Sequence, residues 1–183
     1  MLFNYNENMK KIAILMSSFN RCTKTLACLN AVYKQKELNK SDLKIFLVDD
    51  SSADGTAVSV AEKYPKVQVM NGTGDLFWNR SMRIAFAEAL KHKFDYYLLL
   101  NDDVQMYSDA LKRLKSACQD VGDRAIIVGS VQDPNTGVLT YGGVRHCSLW
   151  HPLKYSLVTP SQALIEVDTM NGNLILVPSE IAE

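Results

Sequence analysis

Residues Asp95–Val104 read D-Y-Y-L-L-L-N-D-D-V, an apolar run that stops on two adjacent carboxylates. The run Tyr96–Leu100 is too short for a helix and rich in strand formers, which is typical of a strand buried on both faces of a parallel sheet. The neighbouring charges of Asp102 and Asp103 are costly unless a cation or hydrogen-bond donors offset them. Because ligands of open α/β sheets bind at the carboxyl ends of strands, this run indicates a polar binding site. The alternative is a solvated acidic turn that caps the next helix.

Two further buried strands are predicted to end in polar residues. Lys11–Ser17 ends on the hydroxyl of Ser17, and Lys44–Asp49 ends on the acidic pair Asp49 and Asp50. If these strands lie beside the central one, the polar groups of all three line a single crevice.

Helical patterns separate the predicted strands. The clearest helix has apolar residues at the i, i+3, i+4, i+7, i+8 positions, namely Met82, Ala85, Phe86, Ala89 and Leu90. The other elements predicted here are a helix over Thr23–Gln35 capped by Thr23, a short helix carrying Val58 and Ala61, a strand at Val67–Met70, and a helix from a Ser108 cap to Gln119. Alternating strands and helices are the signature of a doubly wound parallel sheet.

The chain after Arg124 has a different character, with short strands and turns in place of helices. Strands are predicted at Ala125–Val131, Val138–Tyr141, Ala163–Val167 and Leu174–Val177, the first two joined in a hairpin by the turn Asp133–Gly137. Residues 142–160 are predicted to be mostly loop. We therefore expect one domain with an α/β front half and a β-rich back half.

Composition excludes several function classes. The 20 basic and 20 acidic residues cancel, which argues against a nucleic-acid partner. No apolar stretch is long enough to span a membrane, and the polar start Met1–Lys11 lacks the apolar core of a signal peptide. The four cysteines form no C-x-x-C pair, which favours reduced structural thiols and a cytoplasmic location.

The acidic pairs are oxygen ligands of the kind that Mg²⁺ or Mn²⁺ prefers, and such ions are often shared with substrate phosphates. A phosphate-binding loop of the G-x-x-x-x-G-K-[ST] type is absent from the sequence. Gly72-Thr73-Gly74 does not complete the dinucleotide fingerprint, because Phe77 stands where the third glycine belongs. The metal is therefore expected to provide most of the phosphate binding.

Three motifs in this order resemble the family-two glycosyltransferases, which are inverting, nucleotide-sugar-dependent enzymes with the GT-A fold. The motifs are I-A-I-L-M-S-S-F-N-R at Ile12–Arg21, V-D-D-S-S-A-D-G-T at Val48–Thr56 and L-L-L-N-D-D at Leu98–Asp103. Leu76–Asn79 and Asp168–Asn173 resemble the rhamnosyltransferase-like branch. The resemblance implies a GT-A-type, Rossmann-like and mostly parallel sheet with helices on both faces.

The resemblance also implies roles for particular residues. Nucleotide binding is implied for Ser17, Phe19, Asn20, Arg21, Asp50 and Asp102. Asp50 would accept the imide N–H of uracil or thymine, which indicates a UDP or dTDP donor. Asp103 would ligate Mg²⁺ or Mn²⁺. Asp102 would lie near the ribose.

Contacts to the sugar or diphosphate are implied for Asn79, Arg80, Asn171 and Gly172. Ser81–Arg83 departs from the small, glycine-containing pattern expected after Asn79 and Arg80. For Asn171 and Gly172, a simple β-turn is an equally good interpretation.

The resemblance places the catalytic base on an acidic residue beyond a helix that follows Asp168–Asn173. Pro178 and Ser179 are predicted to begin that helix. The base is therefore expected beyond Glu183, in a chain shortened at its C-terminal end, with Asp168 as the candidate inside it. Residues 1–132 would form the nucleotide-binding half, and residues 133–183 would begin the acceptor-binding half. Glu180 and Glu183 are explained more simply by the helix dipole.

The implied function is hexosyl transfer to a glycan or lipid-linked acceptor in bacterial surface-polysaccharide synthesis, in the cytoplasm or peripherally at the inner face of the membrane. The alternative is a Mg²⁺-binding receiver domain, since F-L-V-D-D resembles a receiver's acidic pocket. A receiver, however, has its acidic pair after the first strand, whereas Lys11–Gln35 precedes the pair here. A dehalogenase-type phosphatase is excluded because Ser52 occupies the position of its aspartate nucleophile.

Overall fold

The computed structural model describes residues 10–36 and 42–182. Its strands are β1 Ile12–Ser18, β2 Leu43–Asp49, β3 Gln68–Asn71, β4 Tyr96–Leu100, β5 Ile127–Val128, β6 Val131–Gln132, β7 Leu139–Tyr141, β8 Gly143–His146, β9 Tyr155–Leu157, β10 Thr169–Met170 and β11 Leu174–Pro178. Its helices are α1 Cys22–Tyr33, α2 Thr56–Lys63, α3 Phe77–Ala89, α4 Ala110–Asp120 and α5 Ser179–Ala182.

A six-stranded sheet in the order β3-β2-β1-β4-β11-β5 forms the centre of the molecule. The first four strands of that order are parallel, and β11 pairs antiparallel with both β4 and β5. Because β1 lies between β2 and β4, the three strands with polar carboxyl ends are neighbours. The predicted mostly parallel α/β sheet is confirmed.

Alternating residues of each central strand face two separate cores. Ile12, Ile14 and Met16 of β1 pack in a core that α1, α2 and α4 cover. Ala13 and Leu15 pack on the opposite face, against α3. Helices therefore cover both faces, which explains why the central strands are apolar at nearly every position.

Both predicted N-caps are wrong, because residues distant in sequence do the capping. Helix α1 begins at Cys22, whose N–H donates to Asp54 Oδ2 at 2.8 Å. Helix α4 begins at Ala110 rather than after Ser108, and the Leu111 N–H donates to Gln35 Oε1 at 3.0 Å. Long-range side chains thus satisfy the free N–H groups that a local cap would otherwise serve.

The back half differs from its prediction in three places, the first two of which precede residue 161. The predicted strand Ala125–Val131 divides into β5, which joins the large sheet, and β6, which forms the expected hairpin with β7. Residues 142–160 contain β8 and β9, and β8 pairs with both β9 and β10 in a three-stranded sheet. The side chains of β9 are exposed, so these strands show no hydrophobic alternation that sequence reasoning could detect.

The prediction of a strand at Ala163–Val167 is wrong, because those residues have no regular structure and the strand lies at β10 instead. Leu174–Val177 is confirmed as the buried strand β11, and α5 begins at Ser179 as predicted. The polar segment Met1–Lys11 falls mostly on residues 1–9, which lie outside the described residues. Glu183 also lies outside them. Within the described ranges, no helix is long and apolar enough to cross a membrane.

Candidate functional site

The carboxyl ends of β1, β2 and β4 converge at one edge of the sheet. The register aligns Ser18 of β1 with Asp49 of β2, and the Asp50 N–H donates to the Ser18 carbonyl at 2.9 Å. Asp102 and Asp103 lie just after the end of β4, separated from it by Asn101, on the other side of β1. The structure therefore brings together the three polar strand ends, as the sequence predicted.

Arg21 bridges the two carboxylates at the end of β4. Its Nη1 lies 3.2 Å from Asp102 Oδ1 and 3.0 Å from Asp103 Oδ2. This guanidinium offsets the repulsion between adjacent negative charges. Arg21 belongs to the segment after β1, so the contact also fastens two neighbouring strand ends together.

Asp102 is a buried carboxylate, with 4% of the residue exposed. Its Oδ2 accepts a hydrogen bond from Thr25 Oγ1 at 3.3 Å. Burial raises the pKa of Asp102, while a hydrogen bond from Ser18 and the charge of Arg21 oppose that rise. The alternative of a solvated acidic turn is therefore wrong for Asp102.

Asp103 is more accessible, since 34% of its side chain is exposed. The described residues contain no cluster of three or more His, Cys, Asp or Glu side chains that would hold a metal alone. Mg²⁺ at phosphate sites, however, is usually held by one or two carboxylates and by the substrate's own oxygens. A carboxylate that is anchored on one side and exposed on the other fits such a shared ion.

Asp50 anchors the loop that leads into α3. Its Oδ1 accepts the Gly74 N–H at 2.7 Å, and its Oδ2 accepts those of Leu76 at 2.9 Å and Phe77 at 3.2 Å. Asp50 is buried, with 4% of the residue exposed, and these three bonds use all but one of the about four acceptor positions of a carboxylate. Sequence reasoning missed this anchoring role, and the predicted imide contact of Asp50 stays a prediction.

The other predicted nucleotide-binding residues differ in their surroundings. Asn20 lies at the end of β1 with a φ of +51°, and its Oδ1 accepts the Ala53 N–H at 2.7 Å. Phe19 is exposed at the same strand end. Ser17 alternates with Ser18 along β1 and so faces the α3 side, whereas Ser18 faces Thr25 and Asp102. Sequence reasoning missed Ser18, although this residue directly follows the predicted Ser17 at the end of the same strand.

A cavity of about 410 Å³ lies beside this strand edge, between α3 and β11. It is lined by Trp78, Asn101, Thr169, Met170, Gly172, Asn173 and Ile175. Of the predicted sugar-contact residues, only Gly172 is among them. Asn79 is exposed, Arg80 donates to the Asp75 carbonyl at 3.4 Å, and Asn171 Oδ1 accepts the Gly142 N–H at 3.3 Å.

The carboxylates proposed as a base do not lie in this cavity. Asp168 Oδ2 accepts the His146 N–H at 2.7 Å and so supports the three-stranded sheet of β8, β9 and β10. Glu180 is exposed on α5. The described residues that line the cavity include no carboxylate, and the predicted position of the base beyond Glu183 stays a prediction.

Cys28 lies beneath the acidic pair, with its Sγ 3.5 Å from the Asn101 carbonyl. Burial and the charges of Asp102 and Asp103 raise its pKa to about 12. Burial likewise raises the pKa of Cys118 to about 12. Because the thiolate is the reactive form, both thiols should be inert at neutral pH.

Alkylation of the folded protein with iodoacetamide at pH 7.5 should therefore label the exposed Cys147 first. Cys28 and Cys118 should be labelled only after denaturation, as peptide mass spectrometry would show. Labelling of Cys28 in the native protein as fast as Cys147 would contradict the buried site described here.

The geometry agrees with comparisons to known proteins. The model of "Glycosyl transferase family 2" matches residues 13–174. The chain belongs to glycosyl transferase family 2. This membership favours the glycosyltransferase interpretation over the receiver domain, while the rhamnosyltransferase-like branch stays a prediction. No curated protein gives a significant match.

Solved structures of glycosyltransferases share the fold of this family member. The mannosyltransferase PcManGT from Pyrobaculum calidifontis, in complex with GDP-Man and Mn²⁺, has a TM-score of 0.59 and 18% identity over 69% of this chain. S. aureus TarS 1-349 in complex with UDP has a TM-score of 0.59 and 20% identity over 70% of this chain. The match spans 37% and 38% of those two chains, respectively. The predicted GT-A-type fold is confirmed.

Proposed function

We propose that this family 2 chain binds a nucleotide diphosphate sugar and takes part in metal-dependent, inverting glycosyl transfer. The observation that carries the proposal is the pair Asp102 and Asp103, held by Arg21 at the carboxyl end of β4 beside a cavity. This arrangement places an anchored carboxylate, the guanidinium of Arg21 and a cavity side by side at one edge of the sheet.

Asp103 is the residue that would hold Mg²⁺ or Mn²⁺ together with the donor diphosphate. When bound there, the ion would neutralise charge that develops on the leaving diphosphate. Arg21 supplies a second positive charge, and buried Asp102 fixes its position. Phe19 offers an exposed ring for the base, and the remaining acceptor position of Asp50 is proposed for an imide N–H.

The chemistry requires an acceptor hydroxyl to attack C1 of the sugar from the face opposite the diphosphate. A general base must take the hydroxyl proton as the new bond forms. We propose that residues 1–132 bind the nucleotide, that residues 133–183 begin the acceptor half, and that an acidic residue outside the cavity lining described above serves as the base.

Two observations support the choice of donor. Three of the structural neighbours were solved with GDP-Man, UDP or UDP-GlcNAc, which makes a nucleotide-activated hexose the natural donor class to test. We propose UDP or dTDP as the nucleotide because Asp50 is suited to an imide. A glycan or lipid-linked acceptor in bacterial surface-polysaccharide synthesis, at the cytoplasmic face of the membrane, completes the proposal.

A thermal-shift panel of UDP-, dTDP- and GDP-sugars with Mn²⁺ tests this function. A ligand that binds only the folded state raises its apparent stability with the logarithm of concentration over Kd. We expect UDP- or dTDP-sugars to raise Tm only when Mn²⁺ is present, and GDP-sugars to raise it less. Acetyl phosphate, the phosphodonor for a receiver, should have no effect. The absence of a shift with every nucleotide sugar would refute the proposal.

A further inference from the structure

We propose that Trp78 is a stacking platform for a pyranose ring in the cavity between α3 and β11, an inference that rests on the proposed function. Glycosyl transfer brings two sugar rings together, one on the donor and one on the acceptor. Either ring offers a patch of C–H groups that an aromatic face can cover. The stacking site is the shared chemistry, and the experiment below separates the two sources.

A hydrogen bond fixes the orientation of the indole. Trp78 Nε1 donates to Asn101 Oδ1 at 2.8 Å. Asn101 is held in turn, because its backbone N–H donates to the Asn173 carbonyl at 3.0 Å. Asn101 directly precedes the acidic pair, so this bond places the ring next to the proposed diphosphate position.

Gly172 leaves space for the ring. A Cβ atom added at Gly172 would lie 2.8 Å from Cη2 and 2.9 Å from Cζ2 of Trp78. Real Cβ atoms do not approach that closely, so any larger residue would push the indole away from its position. The glycine is thus explained by the space that Trp78 needs, which the alternative of a simple β-turn does not explain.

The backbone before Trp78 is held in an uncommon conformation. Phe77 has a φ of +55°, a left-handed value that is rare for a bulky residue, and its N–H donates to Asp50. As a result, Phe77 points to solvent with 80% of its surface exposed, while Trp78 lines the cavity with 42% exposed. Such strain persists where surrounding contacts impose it, and it is concentrated at functional sites.

The cavity is an open cleft whose volume and lining suit a small ligand. Its volume of about 410 Å³ lies in the usual range of about 300–1,000 Å³ for such pockets. Trp78, Met170 and Ile175 provide apolar surface, and Asn101, Thr169 and Asn173 provide polar groups. This mixture suits a sugar ring, which has C–H faces and hydroxyl edges.

The two tryptophans of the sequence make Trp78 directly observable. Trp150 is 89% exposed, so Trp150→Phe should leave the fold intact and Trp78 as the single indole. In this variant the tryptophan fluorescence comes from Trp78. We expect UDP-glucose or UDP-GlcNAc with Mn²⁺ to shift this emission to shorter wavelength, and to reduce its quenching by acrylamide, more than UDP with Mn²⁺ does. That outcome identifies the donor sugar as the occupant.

The acceptor arm uses methyl glycosides added to the same variant in the presence of UDP and Mn²⁺. Protection of Trp78 in this arm alone identifies the acceptor sugar as the occupant, and it equally supports the proposal. Gly172→Ala, made in the Trp150→Phe background, should weaken binding of the sugar that protects Trp78 by about tenfold while leaving UDP affinity unchanged. Ile84→Ala, on the exposed side of α3, is the matched control and should leave both affinities unchanged.

Calorimetric titration with UDP separates the two ways of failing. If UDP binds but neither nucleotide sugars nor methyl glycosides protect Trp78 beyond UDP itself, the stacking proposal is overturned while the proposed function stands. If no nucleotide binds at all, the proposed function fails and the stacking proposal fails with it. Unchanged sugar affinity in the Gly172→Ala variant would also contradict the proposal that Trp78 stacks on a sugar ring.

Discussion

The substitution Asp103→Asn is expected to weaken Mn²⁺-dependent UDP binding by roughly 100-fold or more, because it removes the carboxylate proposed to share the ion with the diphosphate. The unfolding free energy should change by less than about 1 kcal/mol, since the contact of Asp103 with Arg21 is partly exposed. Isothermal titration calorimetry with and without Mn²⁺ measures the first quantity. Urea denaturation measures the second.

Asp120→Asn is the matched control for this prediction. Asp120 is an exposed carboxylate at the end of α4, remote from the edge formed by β1, β2 and β4. The control should bind UDP and Mn²⁺ like the wild-type protein. Equal UDP affinity in Asp103→Asn and wild type, with and without Mn²⁺, would exclude Asp103 as the metal ligand.

Asp50→Ala should lower the stability of the fold more than Asp103→Asn does. The substitution deprives the N–H groups of Gly74, Leu76 and Phe77 of their shared acceptor. Each buried group left without a partner costs about 1–3 kcal/mol, although water will reach some of them once the loop relaxes. We expect a loss of about 3 kcal/mol in the free energy of unfolding, together with the loss of UDP binding.

Two variants make the Asp50 prediction specific. Asp50→Asn keeps one carbonyl oxygen and should lose less stability than Asp50→Ala. Asp75→Ala alters an exposed carboxylate of the same loop, whose side chain contacts Thr73, and should be nearly neutral. A stability of Asp50→Ala within 1 kcal/mol of wild type would show that the carboxylate does not hold the loop.

The elements that sequence reasoning predicted are those in which local pattern and burial agree. The apolar run at β4 lies in the sheet between β1 and β11, buried from both faces. In α3, the periodic residues Met82, Ala85 and Ala89 are all buried, as the helical spacing required. Phe86 is partly buried, and Leu90, which lies just after the helix, is 41% exposed.

The missed features depend on contacts between distant parts of the chain. Asp54 and Gln35 cap helices that begin far from them in sequence, so no local motif signals either cap. The side chains of β9 are all exposed, and β8 is buried only at its start, so neither strand has an alternating pattern. Pairing geometry, rather than burial, defines them.

The same distinction applies to the site. The sequence predicted carboxylates at the ends of β2 and β4, and the strand order places both ends on one edge of the sheet, on either side of β1. It did not show that Arg21 bridges Asp102 and Asp103, because that contact joins segments about 80 residues apart. Nor did it show that Trp78, rather than Asn79 or Arg80, would line the cavity, since this follows from the left-handed conformation of Phe77.

The most direct measurement is an amide NMR titration of the ¹⁵N-labelled wild-type protein with UDP and a small amount of Mn²⁺, which broadens signals close to the ion. We predict that the signals of Arg21, Asn101 and Asp103 disappear first and only when UDP is present. Signals of Lys10 and Asp123, which contact each other at the opposite end of β4, should remain. Broadening centred on Lys10 and Asp123, or equal broadening with and without UDP, would contradict a donor site at the carboxyl edge of the sheet.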